Sequence, residues 1–195
     1  MISPPDGRGI SSMDDSLHAD SLPKVPLVLI GMMGAGKTSV GQALSTALGR
    51  PFLDLDEEIE AQTGRTISEI FAEDGEPCFR LVEREVLMQS LEGSPDIILA
   101  TGGGAVCAES VWTALHGNAR VVWLDVPVEE LADRAQLKGG RPLLEGVASP
   151  RRILRDLLVV RRKWYERADF RISTGGLSLD ESVKVVLERL KEESS

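Results

Sequence analysis

Residues 25–40, VPLVLIGMMGAGKTSV, form the stretch that decides how the rest of the chain is interpreted. Residues 25–30 are apolar and rich in β-branched side chains, which is typical of a buried strand. A match to the pattern G-x-x-x-x-G-K-[ST] follows directly, in Gly31, Gly36, Lys37 and Thr38. Residues 39–48 then have the pattern of an amphipathic helix. This order of strand, loop and helix is the context that a phosphate-binding loop needs.

The loop pattern predicts that the chain binds a nucleotide phosphate. Glycines permit backbone conformations closed to other residues, so successive N–H groups can turn inward around phosphate oxygens. The positive end of the following helix faces the same anion. Lys37 can reach the β- and γ-phosphates, and the Thr38 hydroxyl can bind Mg²⁺. The alternative is an ordinary glycine-rich turn, which the flanking strand and helix make the weaker interpretation.

The composition indicates one globular domain and argues against nucleic acid as the main partner. The chain has 195 residues, 42% hydrophobic and 27% charged, enough for a real core. Its net charge is −9 and its pI about 4.8, whereas phosphate backbones select basic surfaces. An anionic small substrate stays compatible with this charge, because a few arginines can make one cleft locally positive.

The cysteines and the chain start suggest a protein of the reducing cytoplasm. Cys78 and Cys107 lie far apart and outside any C-x-x-C pattern, so neither a disulfide framework nor a zinc site is expected. No apolar run approaches the roughly 20 residues of a membrane-spanning helix. Residues 1–22 lack the features of a signal peptide and are expected to form a flexible tail. We also expect a monomer without a membrane partner.

Strand-like and helix-like segments alternate along the expected domain, residues 23–195. The expected strands are residues 25–30, 51–55, 96–100, 119–126 and 169–173. This alternation predicts the α/β class, with a mainly parallel central sheet of about five strands in a three-layer α/β/α arrangement. Ligands of such sheets lie outside the carboxyl ends of the strands. The phosphate loop and the segments after the next strands should therefore meet at one edge.

Two acidic residues, Asp54 and Asp56, lie at the end of the second expected strand. Because they are two residues apart at a strand end, their side chains should face the same side and enter the cleft together. One can hold an Mg²⁺-bound water or take a hydroxyl proton, and the other can accept hydrogen bonds from substrate hydroxyls. The alternative is a pair of solvated acids at a helix N-terminus, where negative charge is favourable anyway.

Two further segments have both a functional and a structural interpretation. Arg80 and Glu83 share one helix face, and alone such a pair is most often a surface ion pair. A run of three glycines directly follows the third expected strand: Gly102, Gly103 and Gly104. It can let another molecule approach the backbone closely, or it can be a flexible turn. The third strand does not end in an acidic residue, so Asp54 is the better carboxylate for a metal.

Arginines in the second half of the chain are candidates for contacts with phosphate, base and carboxylate groups. Residues 138–149 are rich in glycine and proline and are expected to form a mobile lid, whose Arg141 can offset the charge of a transferring phosphoryl group. Arg134 can stack on a base or lie on a solvated helix face. The basic run 161–163 is either another solvated face or the source of a bidentate carboxylate ligand.

Taken together and in order, these pieces resemble the shikimate kinase family, small phosphate-loop enzymes similar in fold to nucleoside monophosphate kinases. The resemblance covers about residues 25–190. It is carried by residues 31–38, 54–56, 63–65, 70–71, 79–83, 102–106 and 141–143. The family transfers the γ-phosphoryl group of ATP to the 3-hydroxyl of shikimate, in the chorismate and aromatic amino-acid pathway.

The resemblance implies a role for each matching residue. ATP would bind to Gly34, Ala35, Gly36, Lys37, Thr38, Ser39, Arg134 facing the adenine, and the lid residue Arg141. Mg²⁺ would bind to Thr38 and, through water, to Asp54. The catalytic residues would be Lys37, Asp54 and Arg141. Shikimate would bind to Asp56, Arg80, Gly102, Gly103, Gly104 and Arg161, with Glu83 orienting Arg80.

One departure from the family pattern leaves an alternative open in the late helix. The family usually has Arg-x-Pro-x-Tyr there, whereas residues 161–165 are Arg-Arg-Lys-Trp-Tyr. The spacing from Tyr165 favours Arg161 as the carboxylate ligand, and Arg162 stays possible.

Two other functions are alternatives for the whole chain: another small-molecule kinase of this fold, such as a gluconate kinase, or a nucleotide-binding relative that has lost catalysis and serves as an interaction module.

Overall fold

The computed structural model describes residues 24–138 and 149–192. Its strands are β1 (Leu27–Ile30), β2 (Phe52–Asp54), β3 (Ile98–Ala100), β4 (Arg120–Asp125) and β5 (Phe170–Ser173). Its helices are α1 (Lys37–Leu48), α2 (Leu55–Thr63), α3 (Ile67–Glu73), α4 (Gly75–Gly93), α5 (Glu109–Leu115), α6 (Val128–Lys138), α7 (Pro150–Tyr165) and α8 (Leu179–Glu192). The expected tail and most of the expected lid, including Arg141, lie outside the described residues.

The five strands form one parallel sheet in the order β2-β3-β1-β4-β5. Every residue of the central strand β1 is buried, as the apolar run predicted. From β1 the chain builds one side of the sheet through β2 and β3 and then the other through β4 and β5. The change of side opens a crevice at the carboxyl end of β1, where the phosphate loop begins. The predicted α/β class and five-stranded parallel sheet are confirmed.

Strand ends differ from the sequence predictions for local reasons. Strand β1 begins at Leu27 because Pro26 has no N–H to donate, although the Pro26 carbonyl still accepts from the Arg120 N–H at 2.7 Å. Strand β2 ends at Asp54 because α2 starts at the next residue. Helices α1 and α2 are followed by Gly49 and Gly64, whose left-handed backbone is the usual glycine C-cap. None of the helices described here is long and apolar enough to cross a membrane.

Helix α1 lies directly against strand β2, and this contact brings the phosphate loop to the acidic strand end. Gly41 on α1 faces the Phe52 ring on β2 without a side chain between them. A Cβ at Gly41 would clash with that ring, meeting its Cδ2 at 2.9 Å. The glycine therefore sets the distance between the helix that carries Thr38 and the strand that carries Asp54.

We expect Gly41→Ala to destabilise the protein by about 1–2 kcal/mol, because the Phe52 ring must shift in a packed layer. This cost exceeds the roughly 0.5–1 kcal/mol that alanine gains over glycine inside a helix. The measurement is the free energy of unfolding in urea. Gly93→Ala, at the end of α4, is the matched control, since a Cβ there meets nothing within 4 Å. Equal stability of the two variants would contradict the proposed contact.

Candidate active site

A cavity of about 650 Å³ lies at the carboxyl edge of the sheet, a volume in the usual range for small-molecule sites. The phosphate loop forms its floor, the end of β2 and helix α4 form one wall, and the glycine run after β3 lies beside Arg161 of α7. Arg134 and residues at the start of α8 form the opposite wall. Every site residue predicted from the sequence lines this cavity, apart from Arg141, which lies outside the described residues.

The phosphate loop has the backbone that its glycines predicted. Gly31, Gly34 and Gly36 have φ values of 137°, 82° and 88°, which other residues rarely adopt. Gly31 also leaves no room for a side chain, because its Cβ would lie 2.5 Å from the Leu124 carbonyl oxygen. The loop is thus pressed onto strand β4, and its residues 33–39 line the cavity.

Lys37 is 92% buried at the start of α1, so a cation lies within the loop itself. Its ammonium group donates to the carbonyl oxygens of Gly31 and Met32, each at 2.9 Å. These bonds hold the lysine across the inner side of the loop. A phosphate oxygen that enters the loop therefore meets a positive charge that is already largely shielded from water.

Asp54 and Thr38 are joined across the floor of the cavity. The Thr38 hydroxyl donates to Asp54 Oδ2 at 2.6 Å, while Asp54 Oδ1 accepts from the Asp56 N–H at 3.0 Å. Asp54 is therefore both a cavity residue and the N-cap of α2, so its location in the cleft and its location at a helix N-terminus are not exclusive. The pair supplies a hydroxyl and a carboxylate oxygen, the ligand type that Mg²⁺ prefers.

The predicted geometry of Asp56 is wrong, although its location in the cavity is as expected. Asp56 does not continue the strand but lies in the first turn of α2, because the helix begins at Leu55. The helical turn, and not strand alternation, directs its carboxylate into the cavity. Burial raises the pKa of Asp56, and the neighbouring charge of Asp54 raises it further. Asp56 is thus a desolvated acceptor beside the phosphate loop.

Arg80 and Glu83 form a partly buried ion pair rather than a surface one. Arg80 Nη1 donates to Glu83 Oε2 at 2.6 Å, and a second bond joins Arg80 to Glu76 at 3.0 Å. Glu83 is 98% buried, and its Oε1 has no hydrogen-bond partner among the described residues. Burial raises the pKa of Glu83, against the opposing effect of Arg80. This carboxylate holds Nη1 of Arg80, and the Arg80 side chain lines the cavity.

The glycine run makes space for charged side chains. A Cβ at Gly102 would lie 2.6 Å from Glu83 Oε1 and 2.9 Å from Asp56 Oδ1. A Cβ at Gly104 would lie 2.6 Å from both terminal nitrogens of Arg80, and one at Gly103 would lie 3.0 Å from Arg161 Nη1. None of these three glycines has a positive φ. The run is therefore explained by close approach and not by flexibility.

The late helix α7 places its two candidate arginines in different surroundings. Arg161 is 94% buried and lines the cavity, and its Nη1 has no hydrogen-bond partner among the described residues. The Arg162 side chain is 49% exposed and pairs with Glu166 at 2.8 Å, away from the cavity. A buried guanidinium N–H without an acceptor is costly. This position therefore suits an anionic ligand.

Arg134 does not lie on a solvated helix face. Its Nη1 donates to the Gly34 carbonyl at 3.1 Å, and its other terminal nitrogen bonds to Glu130. The arginine thus extends from α6 over the mouth of the phosphate loop. Its predicted contact with adenine stays a prediction.

The sequence patterns did not single out Tyr165, which is fully buried and lies outside the cavity lining, or a group of cavity residues after β5. Tyr165 was used only as a spacing marker, yet its hydroxyl donates to the Gly103 carbonyl and lies 3.6 Å from Met32 Sδ. It thereby joins α7, the glycine run and the phosphate loop. The group after β5 includes Thr174, whose buried hydroxyl oxygen has no partner among the described residues. The signal for this group is weak, since a Gly-Gly pair after a strand is all the sequence offers.

Comparisons with known proteins agree with the resemblance. A family model described as shikimate kinase matches residues 33–191. A shikimate kinase of Cereibacter sphaeroides is 46% identical over 167 residues, covering 86% of this chain and 83% of the relative. One of Symbiobacterium thermophilum is 45% identical over 169 residues, covering 85% and 96%. The solved shikimate kinase from Acinetobacter baumannii, in complex with shikimate, superposes with a TM-score of 0.80 at 40% identity, covering 87% and 94%.

Proposed function

The chain belongs to the shikimate kinase family, and we propose that the cavity at the sheet edge is where it carries out the reaction of that family. The reaction is the ATP-dependent phosphorylation of the 3-hydroxyl of shikimate, which yields shikimate 3-phosphate and ADP in the chorismate and aromatic amino-acid pathway. The chain is thus an enzyme, and the gluconate kinase and interaction-module alternatives are set aside. Its cytoplasmic location and monomeric state stay predictions.

One observation supports this cavity as the substrate site: two arginines converge on the glycine run beside the phosphate loop. Arg161 presents a buried N–H without a described acceptor, and Arg80 is held in place by Glu83. Arg161 lies next to Gly103 and Arg80 lies next to Gly104, and a side chain at either glycine would displace its arginine. One buried and one partly buried guanidinium group in the same cleft are best explained by a carboxylate that binds between them.

On this proposal, the phosphates of ATP bind to residues 34–39 and Lys37 exchanges its two carbonyl acceptors for phosphate oxygens. Mg²⁺ fits the pair Thr38 and Asp54, which already offers adjacent hydroxyl and carboxylate oxygens. In residues 24–138 and 149–192 no group of three or more His, Cys, Asp or Glu could hold a metal ion. The remaining ligands would therefore be phosphate oxygens and water, and the bound ion would neutralise charge on the transferring group.

Shikimate would lie with its carboxylate on Arg80 and Arg161 and its ring hydroxyls toward Asp56 and the glycine run. This orientation points the reacting 3-hydroxyl at the phosphate loop, within reach of Asp54. Asp54 would orient that hydroxyl and accept its proton or pass it to water, while Lys37 and the predicted lid residue Arg141 would stabilise charge on the phosphoryl group. Positioning and charge stabilisation supply most of the catalysis in such transfers.

The proposed function is tested with the purified full chain, ATP, Mg²⁺ and a panel of hydroxy acids that includes shikimate and gluconate. We expect ADP release to depend on shikimate, and mass spectrometry to find one added phosphate on it. Turnover of gluconate, or ADP release without any acceptor, would contradict the assignment.

The division of roles between the two aspartates gives a prediction of its own. We expect Asp54→Asn to lower kcat with little change in the KM for shikimate, because Asp54 faces the metal and the reacting hydroxyl. Asp56→Asn should also raise the KM for shikimate by roughly tenfold, because a charged acceptor to a ground-state hydroxyl is lost. Steady-state kinetics of both variants measure this. Glu58→Gln, also in the first turn of α2 but outside the cavity lining, is the matched control, and indistinguishable profiles for the two aspartate variants would refute the division.

A further inference from the structure

Glu130, in the first turn of α6, has a carboxylate shared between two separate elements. One oxygen accepts from Arg134, four residues later on the same helix. The other accepts from the Gly176 N–H, in the segment between β5 and α8, at 3.0 Å. An exposed ion pair within one helix usually contributes little. The second bond, to a backbone group 46 residues away, distinguishes Glu130 from such a pair.

Each partner of Glu130 belongs to one side of the nucleotide half of the cavity. Arg134 continues to the phosphate loop, where it donates to the Gly34 carbonyl at 3.1 Å. Gly176 lies in the segment whose Thr174 and Leu177 line the cavity. Glu130 itself does not line the cavity, so it acts from behind both partners. One carboxylate thus connects the phosphate loop, through Arg134, with the segment after β5.

Packing around this connection is tight. A Cβ at Gly175 would clash with the Pro127 ring and would lie 3.3 Å from Glu130 Oε2. Gly176 has a φ of 74°, so its N–H is directed by a left-handed backbone that few other residues adopt. The segment is therefore pressed onto the start of α6, with its N–H aimed at the carboxylate.

The direction of phosphoryl transfer indicates which half of the cavity holds the nucleotide. The acceptor lies toward Arg80 and Arg161, and the phosphates lie on the phosphate loop. The nucleoside must therefore extend to the other side of the loop, along Arg134 and the segment after β5. This step rests on the function proposed above.

We propose that Glu130 is a positioning residue for the nucleotide, which holds Arg134 and the segment after β5 in register so that both walls of the nucleotide half are formed before ATP binds. It makes no contact with substrate. Loss of the Glu130 charge removes the ion pair with Arg134 and leaves the Gly176 N–H with a weaker acceptor. The affinity for nucleotide then falls, while the shikimate half, built on α2, α4 and α7, is unaffected.

The test compares Glu130→Gln with Glu129→Gln. Glu129 is the preceding residue, its side chain is 65% exposed, and it faces Arg155 at 3.6 Å. ADP affinity is measured by titration calorimetry, KM values for ATP and shikimate by steady-state kinetics, and Tm by circular dichroism. We expect Glu130→Gln to raise the Kd for ADP and the KM for ATP by roughly fivefold or more, because a charge-assisted hydrogen bond is lost at each partner. The KM for shikimate and the Tm should stay close to wild type, and Glu129→Gln should leave all four values unchanged.

An ADP Kd of Glu130→Gln within twofold of the wild type would overturn the proposal, and so would an equal loss in Glu129→Gln. A parallel rise of both KM values with a lowered Tm would assign Glu130 a merely structural role. If Glu130→Gln does not fold, Glu130→Asp replaces it, because aspartate keeps the charge but is too short to reach both partners; the same outcomes apply. Wild-type turnover of shikimate is scored separately, so failure of the proposed function is distinguishable from failure of this inference.

Discussion

Lys37→Ala should lower kcat for shikimate phosphorylation by roughly 10²–10³-fold or more, the loss expected when one preorganised charge at a developing anion is removed. Lys37 is the cation nearest the expected β- and γ-phosphates, and its ammonium group is already buried within the loop. In a site shielded from water, such a charge cannot be replaced by solvent. The KM for shikimate should change far less, since Lys37 lies on the phosphate side. Stopped-time assays of ADP formation at saturating substrates measure the effect.

Two further variants separate chemistry from folding at this position. Lys37→Met keeps the aliphatic stem and removes the charge, so it should be nearly as inactive as the alanine variant. Lys184→Ala removes an exposed lysine of α8 and should leave kcat unchanged. Circular dichroism should find all three variants folded, because the loop is also held by its glycine backbone and its packing on β4. Near-normal turnover by folded Lys37→Met would refute the role assigned to the phosphate loop.

Arg161→Lys should raise the KM for shikimate by roughly tenfold or more, because a charged hydrogen bond contributes about 1.5–3 kcal/mol. A guanidinium binds a carboxylate through two parallel N–H groups, and lysine cannot reproduce that geometry. Arg161 is buried and its Nη1 lacks a described acceptor, so this N–H group is available to the ligand. The KM for ATP should change much less. Shikimate titration at saturating ATP measures the difference.

The neighbouring residue supplies the control for this prediction. Arg162→Lys makes the same chemical change one position later, where the side chain is half exposed and paired with Glu166. It should be nearly silent, whereas Arg80→Lys should resemble Arg161→Lys. If Arg162→Lys is the damaging change, the assignment in α7 is wrong by one residue. If none of the three variants changes the KM for shikimate, the carboxylate binds elsewhere.

Local patterns in the sequence determined the fold class and predicted most residues of the candidate site. The phosphate loop is recognisable because its function needs glycines, a lysine and a hydroxyl at fixed spacing within eight residues. The parallel sheet follows from strands that alternate with helices, and the carboxyl edge of such a sheet is where ligands bind. The sequence therefore predicts Asp54, Asp56 and the glycine run as site residues, because each lies at the carboxyl end of an expected strand.

The tertiary structure decided the questions that depend on what an element packs against. Arg161 and Arg162 are both arginines on one helix, and their difference arises because α7 buries one face against the glycine run and exposes the other. Asp56 enters the cavity through a helical turn, which the short strand β2 made hard to foresee. The glycine run is explained by the charged side chains that approach it from α2, α4 and α7, none of which is near it in sequence.

Glu130 shows most clearly which questions the sequence alone leaves undecided. In the sequence it is one of two adjacent glutamates at the start of a helix, and both suit that position equally well because acids are favourable there. In the folded chain one of them bonds to Gly176, and its partner Arg134 reaches Gly34, 100 residues away. Residue type and spacing determine which chemistry a chain can carry. Contacts between distant segments determine which of several equivalent side chains performs it, because only the packed sheet and helices bring those segments within hydrogen-bond distance.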